Sequence, residues 1–146
     1  MATFAYTPFK TALLGGDIAL DTQDIRALLV MTNTTADTDQ DVANIADIGT
    51  LDEYDGAGYS RATLASEAVN EDAANNRAEF DVADFNFGST VAAGTRSAAG
   101  IVLYRHVTND ADAVLIAYID TGGFPLAGGG GPFSVTVNAE GLLQAT

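Results

Sequence analysis

Short apolar runs separated by turn-forming residues make up most of the chain, and only some of them alternate. Ile25-Arg26-Ala27-Leu28-Leu29-Val30-Met31 reads as a strand that is apolar on both faces. Ile101 to Val107 and Ala113 to Asp120 are two more strands, and the five turn-forming residues between them, Thr108 to Asp112, predict a hairpin. Phe133, Val135 and Val137 alternate with Ser134 and Thr136, the pattern of a strand buried on one face only. Asn138 to Gly141 then turns the chain into a last short strand, Leu142 to Ala145. Tyr59 to Ala65 reads as a further strand, flanked by turn-rich stretches at 52–58 and 70–76. Arg77 to Phe87 carries a fault of parity. Phe80 and Val82 point one way, whereas Phe85 and Phe87 fall on the other face. An extra residue near Ala83-Asp84, a β-bulge, would bring all four to one side.

Helical spacing is confined to two places. Phe9, Ala12 and Leu13 fall on one face of a short helix, with Thr7 suited to its cap, Pro8 to its first position and Gly15 to a left-handed stop. So short a helix needs a docking surface. Ahead of it, Phe4 and Tyr6 either close the core of their own subunit or reach another. A second short helix is expected over 41–48, with Val42, Ile45 and Ala46 inward and Gly49 as its stop. Loops fill 32–41 and 88–99. The fold class is mainly β: an antiparallel β-sandwich or related small β domain with one or two short helices. One domain spans residues 1–146, with 1–16 as an N-terminal arm and helix. The strands at 25–31 and 114–119 are apolar on both faces, which points to burial in an oligomer or to covering within the chain.

Charge narrows the partners. Twenty acids against six bases give a net charge of −14, and Lys10 is the single lysine. Arg26, Arg61, Arg77, Arg96 and Arg105 are scattered singly, so the chain lacks the basic cluster that nucleic acid or an anionic membrane requires. Zero cysteines exclude disulfides, thiolate zinc sites and cysteine nucleophiles. No basic and apolar leader is visible in Met1 to Lys10, and the longest apolar run is too short for a bilayer, so a soluble protein is expected.

Motifs of chemistry fail on inspection. Asp37, Asp39 and Asp41 match the first three ligand positions of an EF-hand loop, but Val42 and Ile48 stand where its glycine and glutamate belong. A looser calcium site at these residues, or at Asp52, Glu53 and Asp55, stays open. His106 is the sole histidine and continues an apolar strand, and no G-x-S-x-G elbow accompanies it. Gly128 to Gly131 is followed by Pro132-Phe133 and not by the Lys-Ser/Thr of a phosphate loop. No catalytic residue, metal or cofactor is assigned. The glycines instead extend a long mobile tip on which Phe124 and Leu126 are apolar, a pattern of partner surfaces. The other candidate contacts are Phe4, Tyr6, Phe9 and Lys10, an aromatic and cationic stretch with no acid before Asp17.

Three stretches together carry a family resemblance. Phe4-Ala5-Tyr6-Thr7-Pro8-Phe9-Lys10, then Leu13-Leu14-Gly15-Gly16-Asp17-Ile18, then Asp24 to Val30, resemble the opening of a family of small tailed-bacteriophage virion proteins. Leu103-Tyr104-Arg105-His106 and Leu115-Ile116-Ala117-Tyr118-Ile119-Asp120-Thr121 are similar to an internal pair in that family, as is the ending, where a Gly-Pro loop precedes a strand, a turn and a final strand. The ending Gln144-Ala145-Thr146 is less apolar than the family's. The resemblance implies a capsid decoration, or cement, protein on the outside of the phage head. It would be made in the host cytoplasm, bind the major capsid protein, and act as a homo-oligomer, a trimer by the abundance of three-fold lattice positions. A receptor-binding or tail-fibre-associated module of the virion is the alternative.

Overall fold

The computed structural model describes residues 3–146. Among the described residues the chain runs β1 (Phe4–Ala5), α1 (Thr7–Gly15), β2 (Ile25–Met31), a 3-10 turn (Ile45–Asp47), β3 (Ala62–Thr63), β4 (Ala68–Asp72), β5 (Arg77–Asp81), β6 (Phe85–Asn86), β7 (Ala98–Arg105), β8 (Val114–Ile119), β9 (Ser134–Val135) and β10 (Leu143–Ala145). These strands form a five-stranded sheet of order β1-β8-β7-β2-β3, a three-stranded sheet β10-β5-β4 and a two-stranded sheet β6-β9, with every pairing antiparallel. The fold is mainly β, as its short apolar runs predict.

The β7–β8 hairpin stands where the sequence predicts it, but β7 is Ala98–Arg105 and not 101–107: it takes two residues from the expected 88–99 loop and leaves His106 and Val107 to the turn. The hairpin loop is closed by the Asp112 carboxylate, which accepts the amides of Thr108 and Asn109 at 2.9 Å each. The Asn109 side chain accepts the Ala111 amide at 2.8 Å. β2 lies on the far side of β7 in register from Ile25↔Arg105 onward. Both outer edges of this central trio are closed within the chain. Beside β8, β1 is followed by the Tyr6 amide on the Ile116 carbonyl (3.0 Å), the Leu115 amide on Ala43 (2.9 Å) and the Ile45 amide on Ala113 (3.2 Å). Beside β2, β3 is followed by the Leu64 amide on Ile25 (3.0 Å) and the Tyr54 amide on Leu29 (2.9 Å). All of β2 but Arg26, and all of β8 but Val114, is buried in the monomer. The doubly apolar strands are thus covered by their own chain, and their pattern calls for no partner.

Three local expectations are corrected. First, the parity fault at 80–87 is not a bulge within one strand. β5 ends at Asp81 in the three-stranded sheet, and the chain then crosses to pair β6 with β9. The crossing is pinned by the Ala83 amide on the Ala65 carbonyl (2.9 Å) and by the Asp84 carboxylate, which accepts the Val137 amide (2.8 Å). Parity resets because the partner changes, and Phe80, Val82, Phe85 and Phe87 are all buried. Second, residues 41–48 yield only one 3-10 turn, because the amides of Ile45 and Ala46 go to Ala113 and Asp110 instead of to an i−4 carbonyl. Third, the turn expected over 70–76 begins later. Residues 68–72 form β4, and the reversal itself is 73–76, held by the Asn75 side chain on Asp72 at 2.6 Å.

The helix is one residue longer than expected at each end. Tyr6, not Thr7, is the N-cap, because its amide still serves the sheet while its carbonyl accepts the Lys10 amide at 3.1 Å. Gly16, not Gly15, takes the left-handed stop, at φ 79°. Phe9 is the buried anchor of α1.

Candidate functional site

The arm residues divide between core and surface. Tyr6 is fully buried, its hydroxyl donates to the Ala36 carbonyl at 2.8 Å, and burial pushes its pKa well above the ordinary tyrosine value. Phe4 is half-buried, edge-on to Tyr6 at 5.1 Å and stacked on Tyr118 at 5.8 Å. Phe9 is buried. Of the arm's expected contact residues, Tyr6 and Phe9 therefore belong to the core of their own subunit, since rings of this size gain about 1.5–3 kcal/mol from burial. Lys10 is exposed and, among the described residues, makes no ion pair.

Phe4, Phe9 and Lys10 do meet in one place. They line a groove of about 1030 Å³ between α1 and the β10-β5-β4 sheet. Leu13, Ile18 and Leu20 continue its apolar wall, and Val69, Ala78, Phe80, Leu142 and Leu143 form the opposite one. Two of these side chains project into solvent, Leu13 at 43% and Val69 at 52% exposure, and neighbouring Leu14 is 90% exposed. The sequence reading missed the β4 and β10 contribution. Its one available signal was the absence of charge from Leu142 to Thr146.

Phe124 and Leu126 lie elsewhere and do not line the groove. The glycine-rich stretch they occupy is stitched down at several points. Leu126 and Ala98 exchange both main-chain hydrogen bonds, at 2.7 and 2.8 Å, and Val91 exchanges bonds with Gly130 and Gly131. The hydroxyl of buried Tyr54 accepts the Gly128 amide (3.0 Å) and the Gly94 amide (2.9 Å) and donates to the Ala92 carbonyl (3.0 Å). A tethered ribbon replaces the mobile tip. Phe124 is half-buried, and Leu126 is 38% exposed.

The charged candidates are spent on braces. Arg61 forks to both oxygens of Glu53 (2.8 and 2.6 Å) and both of Asp110 (2.5 and 2.9 Å) and lies 5.6 Å over the Tyr104 ring. The Arg61 guanidinium holds the Asp110 carboxyl below its ordinary pKa. Asp52 pairs with Arg96, Asp55 with the Thr95 hydroxyl, and Asp39 accepts the Thr35 hydroxyl (2.5 Å) and the Gly49 amide (2.9 Å). Asp39, Asp52, Glu53 and Asp55 thus face separate partners, and among the described residues no three of His, Asp or Glu converge as metal ligands would. His106 is half-buried, and its main-chain amide donates to the Asp24 carbonyl at 2.8 Å.

No family model, no curated protein and no solved structure matches the chain.

Proposed function

We propose that this protein is a structural component of a tailed-bacteriophage virion that binds the outside of the head and stabilises the shell. The observation that carries the proposal is that the resembling stretches are contiguous in space. The Phe4–Lys10 opening, the Asp24–Val30 strand and the Leu103–His106 and Leu115–Thr121 pair supply β1, β2, β7 and β8, four neighbours in one sheet. The apolar groove beside that sheet suits contact with another protein surface. In this reading the partner is the major capsid protein. The protein acts as a homotrimer at three-fold lattice positions, where many weak contacts add through multivalency. Gel densitometry of purified virions tests it. The expected band scales with the major capsid protein, and a band matching a tail-fibre component overturns it.

A further inference from the structure

We infer that the groove between α1 and the β10-β5-β4 sheet is a strand acceptor, taking an extended segment of another polypeptide that is apolar at alternate positions and carries a carboxylate near Lys10. This goes beyond the virion reading and does not depend on it. Two strands that end their sheets line the groove. β1 closes the five-stranded sheet and β10 the three-stranded one, so each presents, among the described residues, one edge without a strand partner. Such edges are templates for main-chain pairing, and proteins ordinarily blunt them with charge. The other edge of the small sheet, β4, carries Glu71 and Asp72, whereas Leu143-Gln144-Ala145 of β10 carries no charge at all. An edge left unprotected beside an apolar cleft suits pairing and not exclusion.

Side chains define the segment further. The cleft is at the upper end of ligand-pocket volumes, roughly 300–1,000 Å³, and its apolar walls match the alternate side chains of a strand. Leu13 and Val69, exposed on opposite walls, lose that exposure to an inserted segment. Charge selects the carboxylate. Arg26, Arg61, Arg77 and Arg96 are each ion-paired and Arg105 lies outside the groove, so Lys10 is the cation of the groove wall and, among the described residues, makes no ion pair, on a helix that has no acid in its own sequence. Glu79 on the groove wall is already held by Arg77 at 2.8 Å, and Asp21 is the other acidic side chain that lines the cleft, on a molecule of net −14. An acidic segment is repelled by the rest of the surface and met by a cation here.

The test uses the full chain and a displayed library of random dodecapeptides. Enriched peptides are expected to alternate apolar residues and to contain Asp or Glu. On binding they should slow amide exchange in 3–5 and 143–145. N-methylation of alternate peptide residues should weaken binding by about tenfold or more, as should Lys10→Glu, with Lys10→Arg restoring it. Lys10 is exposed, so these variants keep the fold. The inference is overturned if the library gives no enrichment, if binders protect other amides, or if N-methylated and parent peptides bind alike. It is also overturned if sedimentation shows a dimer protecting the same amides while no peptide binds, because the occupant is then a second copy.

Discussion

Tyr54 ties its own loop to two others through one hydroxyl, which serves Ala92, Gly94 and Gly128 at once. Tyr54→Phe keeps the ring and its edge-on contacts with Tyr59 and Phe133 but leaves two amides and a carbonyl without a partner. The expected loss is about 1–3 kcal/mol in denaturant unfolding. The same slot discriminates among the four consecutive glycines. A Cβ at Gly128 would stand 2.3 Å from the Ala92 carbonyl oxygen and 2.7 Å from the Tyr54 hydroxyl, whereas one at Gly129 meets nothing within 4 Å. Gly128→Ala is therefore expected to destabilise by about 1–3 kcal/mol and Gly129→Ala to stay within about 0.5 kcal/mol. Equal thermal midpoints for the two variants would contradict the slot.

At the scale of elements, β1 and the crossing between β5 and β6 carry the clearest consequences. β1 pairs only Phe4 and Ala5 with β8, yet it delivers Tyr6 to a fully buried position. Deleting residues 1–6 removes a core aromatic whose loss alone costs about 3–5 kcal/mol, a large part of a typical domain's 5–15 kcal/mol. The truncated chain should show a collapsed thermal midpoint by circular dichroism; a chain that folds as before would place the arm outside the core. Deleting Ala83 removes the amide that anchors the crossing on Ala65 and pulls Phe85 and Phe87 out of step with their buried sites. No cooperative unfolding transition is expected from that variant. A cooperative melt near the parent's would show that the crossing has slack.

For the molecule as a whole, pH acts through two sets of groups. Asp24 and Asp110 are held below the ordinary carboxylate pKa, first by hydrogen bonds from Arg26 and Arg61. Their stabilisation is complete above the unfolded value of about 3.9 and is lost as pH falls through the lower folded values. Tyr6, Tyr59, Tyr104 and Tyr118 are raised, mainly by burial, with Tyr118 pushed up to about 12. Their stabilisation is complete below the unfolded value of about 10 and is lost as pH climbs toward the folded values. Urea midpoints should thus form a plateau between about pH 5 and 9 and fall on both sides. Tyr118→Phe should soften the alkaline limb. A midpoint that falls steadily across neutral pH would contradict both assignments.

The sequence by itself determined the elements whose pairing is local or whose apolar runs admit one reading: β2, the pairing of β7 with β8 as a hairpin, the helix anchored by Phe9, and the buried set Phe80, Val82, Phe85 and Phe87. Hydrophobic period and turn chemistry act over a few residues and so survive without the fold. Tertiary structure decided which chain covers the second face of β2 and β8, because an apolar face records that it is buried and not what buries it. It also decided that β4 is a strand, since its residues are mostly exposed and only the register with β5 makes them one. The groove was illegible for the same reason. Its walls come from within 3–21 and from 69, 78–80, 121 and 141–146, segments brought together by the packing of two sheets, and no local pattern marks a cleft between them.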